Sequence, residues 1–132
     1  MVNTDSIREL TEEIRKLNKD KGWRKFDMKG APREGPWFAA YIALIQSEAS
    51  EALEAYRDKI WSGTKKVQTR KYGGKMVVAE VDKPIGVGPE LADVLIRILD
   101  TADIWDIDLV YEVNRVIEYG WTRPYQHGGK TL

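Results

Sequence analysis

The sequence predicts an all-α domain of four helices, with one short β-hairpin inserted between the second and the third. Apolar residues recur at helical spacing in four stretches, and helix-starting prolines or helix-ending glycines flank these stretches. Strand-forming character is confined to 65–81, where two β-prone runs flank Gly73-Gly74. At 132 residues the chain has the length of one domain with a substantial core, so we predict a single domain over 1–132.

The first helix is predicted from Asn3 to about Lys21. Ser6 and Glu9 stand in capping-box register at its start, and Gly22 is a typical helix-ending residue. Its apolar face is formed by Ile7, Leu10, Ile14 and Leu17. The basic stretch that follows, 22–35, contains glycine and proline and is predicted to be a loop.

Helix two is predicted from Pro36 to about Trp61 and helix three from Pro89, because proline favours the first turn of a helix. Helix three contains the apolar run 94–99, which only Arg97 interrupts, so we expect it to be buried on more than one side. Such a helix is too apolar for a lone four-helix monomer, and we expect a second subunit to cover its remaining face.

Helix four is predicted to begin at a cap supplied by Asp106 or Asp108 and to end near Gly120. The polar tail 121–132 contains two adjacent glycines and is predicted to be irregular. The hairpin insert is predicted to pack on the rest of the domain, because an isolated hairpin is marginally stable in water.

Composition narrows the classes of function. The 21 basic and 21 acidic residues balance, which disfavours a nucleic-acid-binding protein. Cysteine is absent, which excludes disulfides, thiolate zinc sites and cysteine nucleophiles. The N-terminus lacks the apolar segment of a signal peptide, and no apolar run is long enough to span a bilayer. We therefore expect a cytoplasmic protein that does not contact a membrane.

Helix two carries three glutamates whose positions on the helical wheel differ. With successive residues about 100° apart, Glu48 falls inside the apolar arc, Glu51 lies at its edge, and Glu54 points to the opposite side. A carboxylate on the core side of a helix is costly to bury unless it is paired or binds a metal. Glu48 therefore requires a partner, whereas Glu54 is expected to be solvated.

Helix three supplies a second acidic pair at the same spacing, Glu90 and Asp93, one turn before Arg97. If the two helices pack side by side, four carboxylates converge, and a bound cation relieves their mutual repulsion. The spacing alone leaves a second interpretation open. In that interpretation the acidic pairs are solvated helix faces, and Glu90 and Asp93 complement the helix N-terminus.

The type of ligand indicates the metal. Carboxylate oxygens suit Mg²⁺ or Mn²⁺, and Mg²⁺ commonly completes its coordination with water and substrate phosphates. A di-iron site in a helical bundle would require Glu-x-x-His pairs. The only histidine, His127, lies in the tail, which disfavours iron.

Two segments of the chain resemble the MazG-like nucleotide pyrophosphohydrolases, particularly the compact forms of bacteria and their phages. These segments are IALIQSEASEALEAYRD, which ends at Asp58, and DKPIGVGPELADVLIRILD, from Asp82 to Asp100. The tail TRPYQHGGK, from Thr122 to Lys130, and helix one with the following KGW are similar to the same family. The resemblance therefore covers nearly the whole chain.

The resemblance implies an all-α, four-helix-bundle-like MazG-type fold that is completed by dimerisation, as a homodimer or a dimer of dimers. The family's metal motif, Glu-x-x-Glu followed by Glu-x-x-Asp, corresponds here to Glu48, Glu51, Glu90 and Asp93. The implied activity is the Mg²⁺-dependent hydrolysis of a (deoxy)nucleoside triphosphate to the monophosphate and pyrophosphate. Glu51 is the candidate catalytic base among these ligands.

Three basic residues of the tail are candidates to bind the substrate phosphates: Arg123, His127 and Lys130. Many family members have an acid before the first motif glutamate, and a lysine and an asparagine near the end of helix four. This chain has Ser47, Val116 and Gly120 there. These differences keep an alternative function open, a non-catalytic dimeric helical module that binds nucleotides or acts as an adaptor.

Overall fold

A computed structural model describes residues 4–24, 35–71 and 77–129 of the chain. The elements in these ranges are α1 (Asp5–Asp20), α2 (Pro36–Arg57), β1 (Gly63–Lys71), β2 (Val77–Ile85), α3 (Val87–Ile104), α4 (Leu109–Thr122) and α5 (Gln126–Gly129). The prediction of a mainly helical fold with one small antiparallel sheet is confirmed. None of the helices in the described ranges has the length and apolar character to cross a membrane.

The chain divides into two compact units, and α3 contributes residues to both. The terminal unit comprises Met1–Arg33 and Leu99–Leu132. The central unit comprises Glu34–Ile98 and contains α2, the hairpin and the first part of α3.

The core of the terminal unit is formed where α1 and the end of α3 bury apolar side chains. Ile104 and Trp105 are 1% and 2% exposed, and the other buried apolar residues of this unit are Ile14, Leu99 and Ala102. Two charged or polar residues, Asp100 and Thr101, are buried beside them. Burial of the Asp100 carboxylate requires a cationic partner, which Arg24 supplies.

The predicted cap of α1 is wrong, whereas the predicted cap of α4 is confirmed. The predicted cap Ser6 lies inside α1, which begins at Asp5 after Thr4, and Thr4 makes no side-chain capping bond. Asp5 stands in the first turn, where its negative charge complements the helix dipole. For α4, the predicted cap is confirmed at Asp108, whose side chain accepts a hydrogen bond from the Tyr111 backbone N–H at 3.0 Å.

The tail 121–132 is not uniformly irregular, which corrects the sequence prediction. α4 continues past Gly120 to Thr122, and Gln126–Gly129 forms a further short helix. Glycine permits a helix end but does not impose one, and the backbone N–H of Arg123 still donates to the Gly120 carbonyl at 3.2 Å.

In the central unit, α2 begins at Pro36 as predicted but ends at Arg57 rather than near Trp61. Lys59 adopts a left-handed conformation with φ of 59°, and the backbone N–H of Ile60 donates to the Ala55 carbonyl at 3.0 Å. This bond pattern is a Schellman motif, which satisfies the last carbonyls of the helix and turns the chain away from its axis.

The hairpin is longer than the predicted insert 65–81. Its two strands pair in nine antiparallel positions, from Gly63 opposite Ile85 to Lys71 opposite Val77. At its base the chain enters α3 directly, so this helix begins at Val87 rather than at Pro89. Proline is tolerated in any position of the first turn, because the N–H groups there have no acceptor within the helix.

Candidate metal centre

An acidic cluster in the central unit is built from one turn of α2 and the first turn of α3. Glu48 and Glu51 lie one helical turn apart on α2, and Glu90 lies near the start of α3. Each of the three side chains offers a carboxylate oxygen within 4.8 Å of the oxygens of the other two. Three acidic groups at these separations are close enough to bind one metal ion, as the sequence predicted in outline.

The start of α3 is held by a close backbone contact with the segment that follows α2. The N–H groups of Val87 and Gly88 each donate a hydrogen bond of 2.9 Å, to the carbonyls of Ile60 and Trp61. Gly86 has φ of 120°, and a Cβ atom added there would lie 2.8 Å from the Trp61 backbone. Only glycine fits this position, and the turn that it permits fixes the first turn of α3, which carries Glu90.

Glu48 is one of the two half-buried members of the cluster. Its side chain is 14% exposed, and its Oε1 accepts a hydrogen bond of 3.0 Å from Nε of Arg97. The helical-wheel prediction that Glu48 turns towards the protein and needs a partner is therefore confirmed. Glu54 is exposed, as predicted, and it is not a member of the cluster.

The three carboxyl groups interact electrostatically. Hydrogen bonds with Glu48 and Glu90, followed by burial and the negative charges of these two neighbours, raise the pKa of the Glu51 carboxyl. A raised pKa means that the cluster favours a proton over an additional negative charge. A divalent cation can take the place of that proton, because it neutralises the same oxygens.

Asp93 is the fourth predicted ligand, and its oxygens are not part of the three-residue group. The loss of surrounding water raises the pKa of Asp93, and the negative charges of Glu48 and Glu90 raise it further. The positive charges of Arg97 and Lys83 offset part of this rise. Asp93 therefore lies within electrostatic range of the cluster, one turn further along α3 than Glu90.

The three predicted phosphate-binding residues belong to the terminal unit or lie outside the described residues. Arg123 follows the end of α4, and its guanidinium carbon lies 5.7 Å from the centre of the Tyr119 ring. The backbone of His127 forms part of α5, whereas its side chain and the whole of Lys130 lie outside the described residues.

Two basic residues contribute to the electrostatics of the cluster without having been predicted to do so. Arg97 lies seven residues after Glu90, on the same stripe of α3, and this spacing was a usable signal. Lys83 lies in β2, and no local pattern indicates that it acts on Asp93. Its position depends on the hairpin and on the turn into α3.

The composition of the cluster suits a hard divalent cation. All of its donors are carboxylate oxygens, which Mg²⁺ and Mn²⁺ prefer, and Arg97 is the one cation bonded to a member among the described residues. The cluster therefore retains negative charge that a metal ion would neutralise. Neither a protein-family model, nor a curated protein, nor a solved structure matches this chain.

Proposed function

We propose that this protein is a Mg²⁺-dependent hydrolase that converts nucleoside triphosphates to the monophosphate and pyrophosphate. The observation that carries the proposal is the approach of Glu48, Glu51 and Glu90 to within 4.8 Å of one another. The resemblance of the two acid-bearing segments to MazG-like pyrophosphohydrolases supplies the class of substrate and the bond that is cleaved. It also supplies Asp93 as a fourth ligand.

Four residues of the site have proposed tasks in metal binding. Glu48, Glu51 and Glu90 bind the metal ion, and Arg97 holds the Glu48 carboxylate in place through its 3.0 Å bond. Bound Mg²⁺ supplies Lewis acidity, which neutralises phosphate charge and makes water a better nucleophile at neutral pH. The protein's main contribution is positioning, so a serine or cysteine nucleophile is not required.

Glu51 is the residue best suited to accept a proton from a water molecule, because it is the exposed member of the three-carboxylate cluster. In the proposed reaction the water oxygen forms a bond to the α-phosphorus. The bond between the α-phosphorus and the bridging oxygen breaks, and its electron pair leaves with pyrophosphate. The proton of the water passes to a Glu51 carboxylate oxygen.

Release of pyrophosphate from a panel of ribonucleoside and deoxyribonucleoside triphosphates tests the proposal. We expect hydrolysis of at least one substrate with Mg²⁺ and none in chelator. Glu51→Gln should lower kcat by about 100-fold or more, as expected for loss of a general base. Glu54→Gln is the matched control on the exposed side of α2 and should leave kcat unchanged. Silence across the panel, or equal losses in both variants, would contradict the proposal.

A second candidate function is a module that binds nucleotides without hydrolysing them. It is favoured by Val116, which is 68% exposed, and by Gly120, around which a Cβ atom would meet nothing within 4 Å. These positions offer no polar side chain to a substrate. Calorimetric binding of a non-hydrolysable triphosphate analogue, together with the absence of pyrophosphate release, would establish this alternative.

We also propose that the protein associates as a homodimer or a dimer of dimers. Leu91 and Leu95 on α3 are 56% and 46% exposed, although they belong to its apolar face. A second copy would remove such side chains from water, in keeping with the expected dimerisation. Light scattering should show a mass of at least twice 15.1 kDa, and a 15.1 kDa species alone at micromolar concentration would exclude this assembly.

A further inference from the structure

The two faces of the hairpin differ in how their charges are compensated. Lys65 lies directly opposite Lys83 in the antiparallel register, so both side chains project from one face. Their neighbours Lys66 and Asp82 are also opposite one another, on the other face, and form a salt bridge of 3.0 Å. One face thus pairs opposite charges, whereas the other brings two ammonium groups together.

The lysine pair is unfavourable unless it binds an anion. Like charges at directly opposite positions destabilise an antiparallel pair of strands. Among the residues that the structure describes, neither Lys65 nor Lys83 forms a salt bridge, and both side chains are exposed. The two positive charges are therefore available to a ligand from solution.

The face that carries the lysine pair is partly covered by protein. Val67, Thr69 and Ala79 share this face and are half-buried, whereas Val81, on the same face, is 40% exposed. On the opposite face, Lys66, Gln68, Glu80 and Asp82 are all exposed, as expected for a surface in water. Lys65 and Lys83 are themselves exposed, so they lie at the solvent-accessible end of the partly covered face.

Lys83 is close enough to Asp93 of α3 for its charge to act on that carboxyl group. Its positive charge offsets part of the rise in the pKa of Asp93. β2 ends at Ile85 and passes through Gly86 directly into α3, and the hydrogen bonds of Val87 and Gly88 hold this junction. Lys83 is thus joined by a short, hydrogen-bonded piece of backbone to the first turn of α3, which carries Glu90.

A metal-bound polyphosphate requires carboxylates to hold its metal ion and positive charges to bind its phosphate groups. The acidic cluster offers the first, and the lysine pair offers the second. Carboxylates alone repel a triphosphate, and a metal ion held by them neutralises only part of its charge. We propose that Lys65 and Lys83 bind the phosphate chain of the substrate while the carboxylates hold its metal ion. The nature of the ligand rests on the proposed function, whereas the lysine pair itself rests on the strand register.

The test compares Lys65→Met, Lys83→Met and the double variant with Lys66→Met, which changes the same residue type on the opposite face. Calorimetry measures the binding of inorganic tripolyphosphate in excess Mg²⁺ and, separately, of Mg²⁺ alone. We expect the double variant to bind tripolyphosphate about tenfold more weakly, since charge-assisted contacts are lost, with unchanged Mg²⁺ affinity or slightly tighter Mg²⁺ binding. Lys66→Met should match the wild type within about twofold.

A salt series and steady-state kinetics sharpen the result. Wild-type affinity for tripolyphosphate should fall more steeply with salt than that of the double variant, because two ionic contacts are screened. For any triphosphate that is hydrolysed, KM should rise by about the same factor as the loss of affinity, and kcat should change less. Circular dichroism confirms that each variant folds.

The outcomes separate this proposal from the proposed function. If the wild type hydrolyses a triphosphate and the lysine variants match Lys66→Met in tripolyphosphate affinity and in KM, the proposed lysine site is wrong and the proposed hydrolase activity is retained. If the wild type binds tripolyphosphate in a lysine-dependent way but releases no pyrophosphate from any triphosphate, the proposed lysine site is retained and the proposed hydrolase activity is wrong. If the wild type does not bind tripolyphosphate with Mg²⁺, the lysine site is overturned.

Discussion

The helix α3 carries two acidic pairs at the same spacing, and the protein compensates their charges in opposite ways. Glu90 and Asp93 belong to the central unit, whereas Asp100 and Asp103 belong to the terminal unit. In each pair the second acid follows the first by three residues, so the two members of each pair lie on the same side of the helix. Their surroundings, rather than their spacing, determine what each pair does.

In the terminal unit, two arginines from the first part of the chain neutralise the pair. Arg15 donates from Nε and Nη2 to the two oxygens of Asp103, at 2.9 and 2.6 Å. Arg24, with a side chain only 8% exposed, bonds to Asp100 and donates from Nη1 to Asp103 at 2.7 Å. The hydrogen bonds with Arg15 and Arg24 outweigh the effect of burial and lower the pKa of Asp103 to about 2.

In the central unit the balance is reversed. Glu90 joins Glu48 and Glu51, and Arg97 is the only cation bonded to one of the three within the described residues. The carboxyl groups of Glu51 and Asp93 have raised pKa values, whereas Asp103 has a lowered one. The comparison teaches that an acidic pair on a helix is a candidate cation site only where the fold supplies too few positively charged partners.

The largest effect is expected from removing an arginine from the terminal network, which consists of Arg15, Arg24, Asp100 and Asp103. Arg24→Met leaves the buried Asp100 without the guanidinium that compensates it, which should lower the free energy of unfolding by about 3–5 kcal/mol. Arg8→Met removes an exposed ion pair of 3.9 Å and is the control, with an expected loss below about 0.5 kcal/mol. Urea denaturation at pH 7 measures both, and equal small losses would refute the structural role of the network.

The second prediction concerns the acidic cluster of Glu48, Glu51 and Glu90, through which Mg²⁺ should stabilise the folded protein. At a concentration 100 times the dissociation constant, Mg²⁺ should add about 2.7 kcal/mol to the free energy of unfolding, because the unfolded chain hardly binds it. The gain should be the same in a mild variant of the terminal network such as Arg15→Lys. Identical melting temperatures in chelator and in millimolar Mg²⁺ would show that the three carboxylates do not bind the ion.

The third prediction applies one chemical change to both acidic pairs and expects opposite signs. In chelator, Asp93→Asn should raise the melting temperature, because it relieves repulsion from Glu48 and Glu90. Asp103→Asn should lower it, because Arg15 loses its salt-bridge partner and Arg24 loses one of two. Calorimetry of the two variants and the wild type provides the measurement. A rise or a fall in both variants would remove the distinction between the pairs.

The smallest effect is expected in the pH dependence of stability. The pKa of Asp103 is lowered from 3.8 to about 2, so its contribution is complete above pH 3.8 and is lost as the pH falls towards 2. After allowance for screening by solvent, this contribution is about 1 kcal/mol. The raised pKa values of Glu51 and Asp93 have the opposite sign, because ionisation of these groups opposes folding as the pH rises above their unfolded values.

Acid titration of the metal-free protein should therefore show a rise in stability on acidification from neutral pH, followed by a fall below about pH 4. Asp103→Asn should remove part of the fall, and Asp93→Asn should reduce the rise. Denaturant midpoints at each pH measure both limbs. A monotonic loss of stability from pH 7 downwards would contradict the assignment of repulsion to the central unit.

The sequence alone determined the features that depend on local periodicity. Apolar spacing and proline predicted the helices and the start of α2, and the helical wheel predicted that Glu48 turns inwards while Glu54 faces water. The cap at Asp108 was also predicted, because capping needs only neighbouring residues. Ends set by a left-handed residue, such as Lys59 after α2, were not predicted, since lysine has no preference for that conformation.

Only the tertiary structure decided which acidic residues are neutralised by arginines and which retain uncompensated negative charge. Arg15 and Asp103 are 88 residues apart in sequence, and Arg97 and Glu48 are 49 apart, so no local pattern joins either pair. The pairing of Lys65 with Lys83 likewise depends on strand register, since a shift of one residue would move Lys65 relative to every partner. Coulomb interactions depend on distance in space, and folding sets that distance.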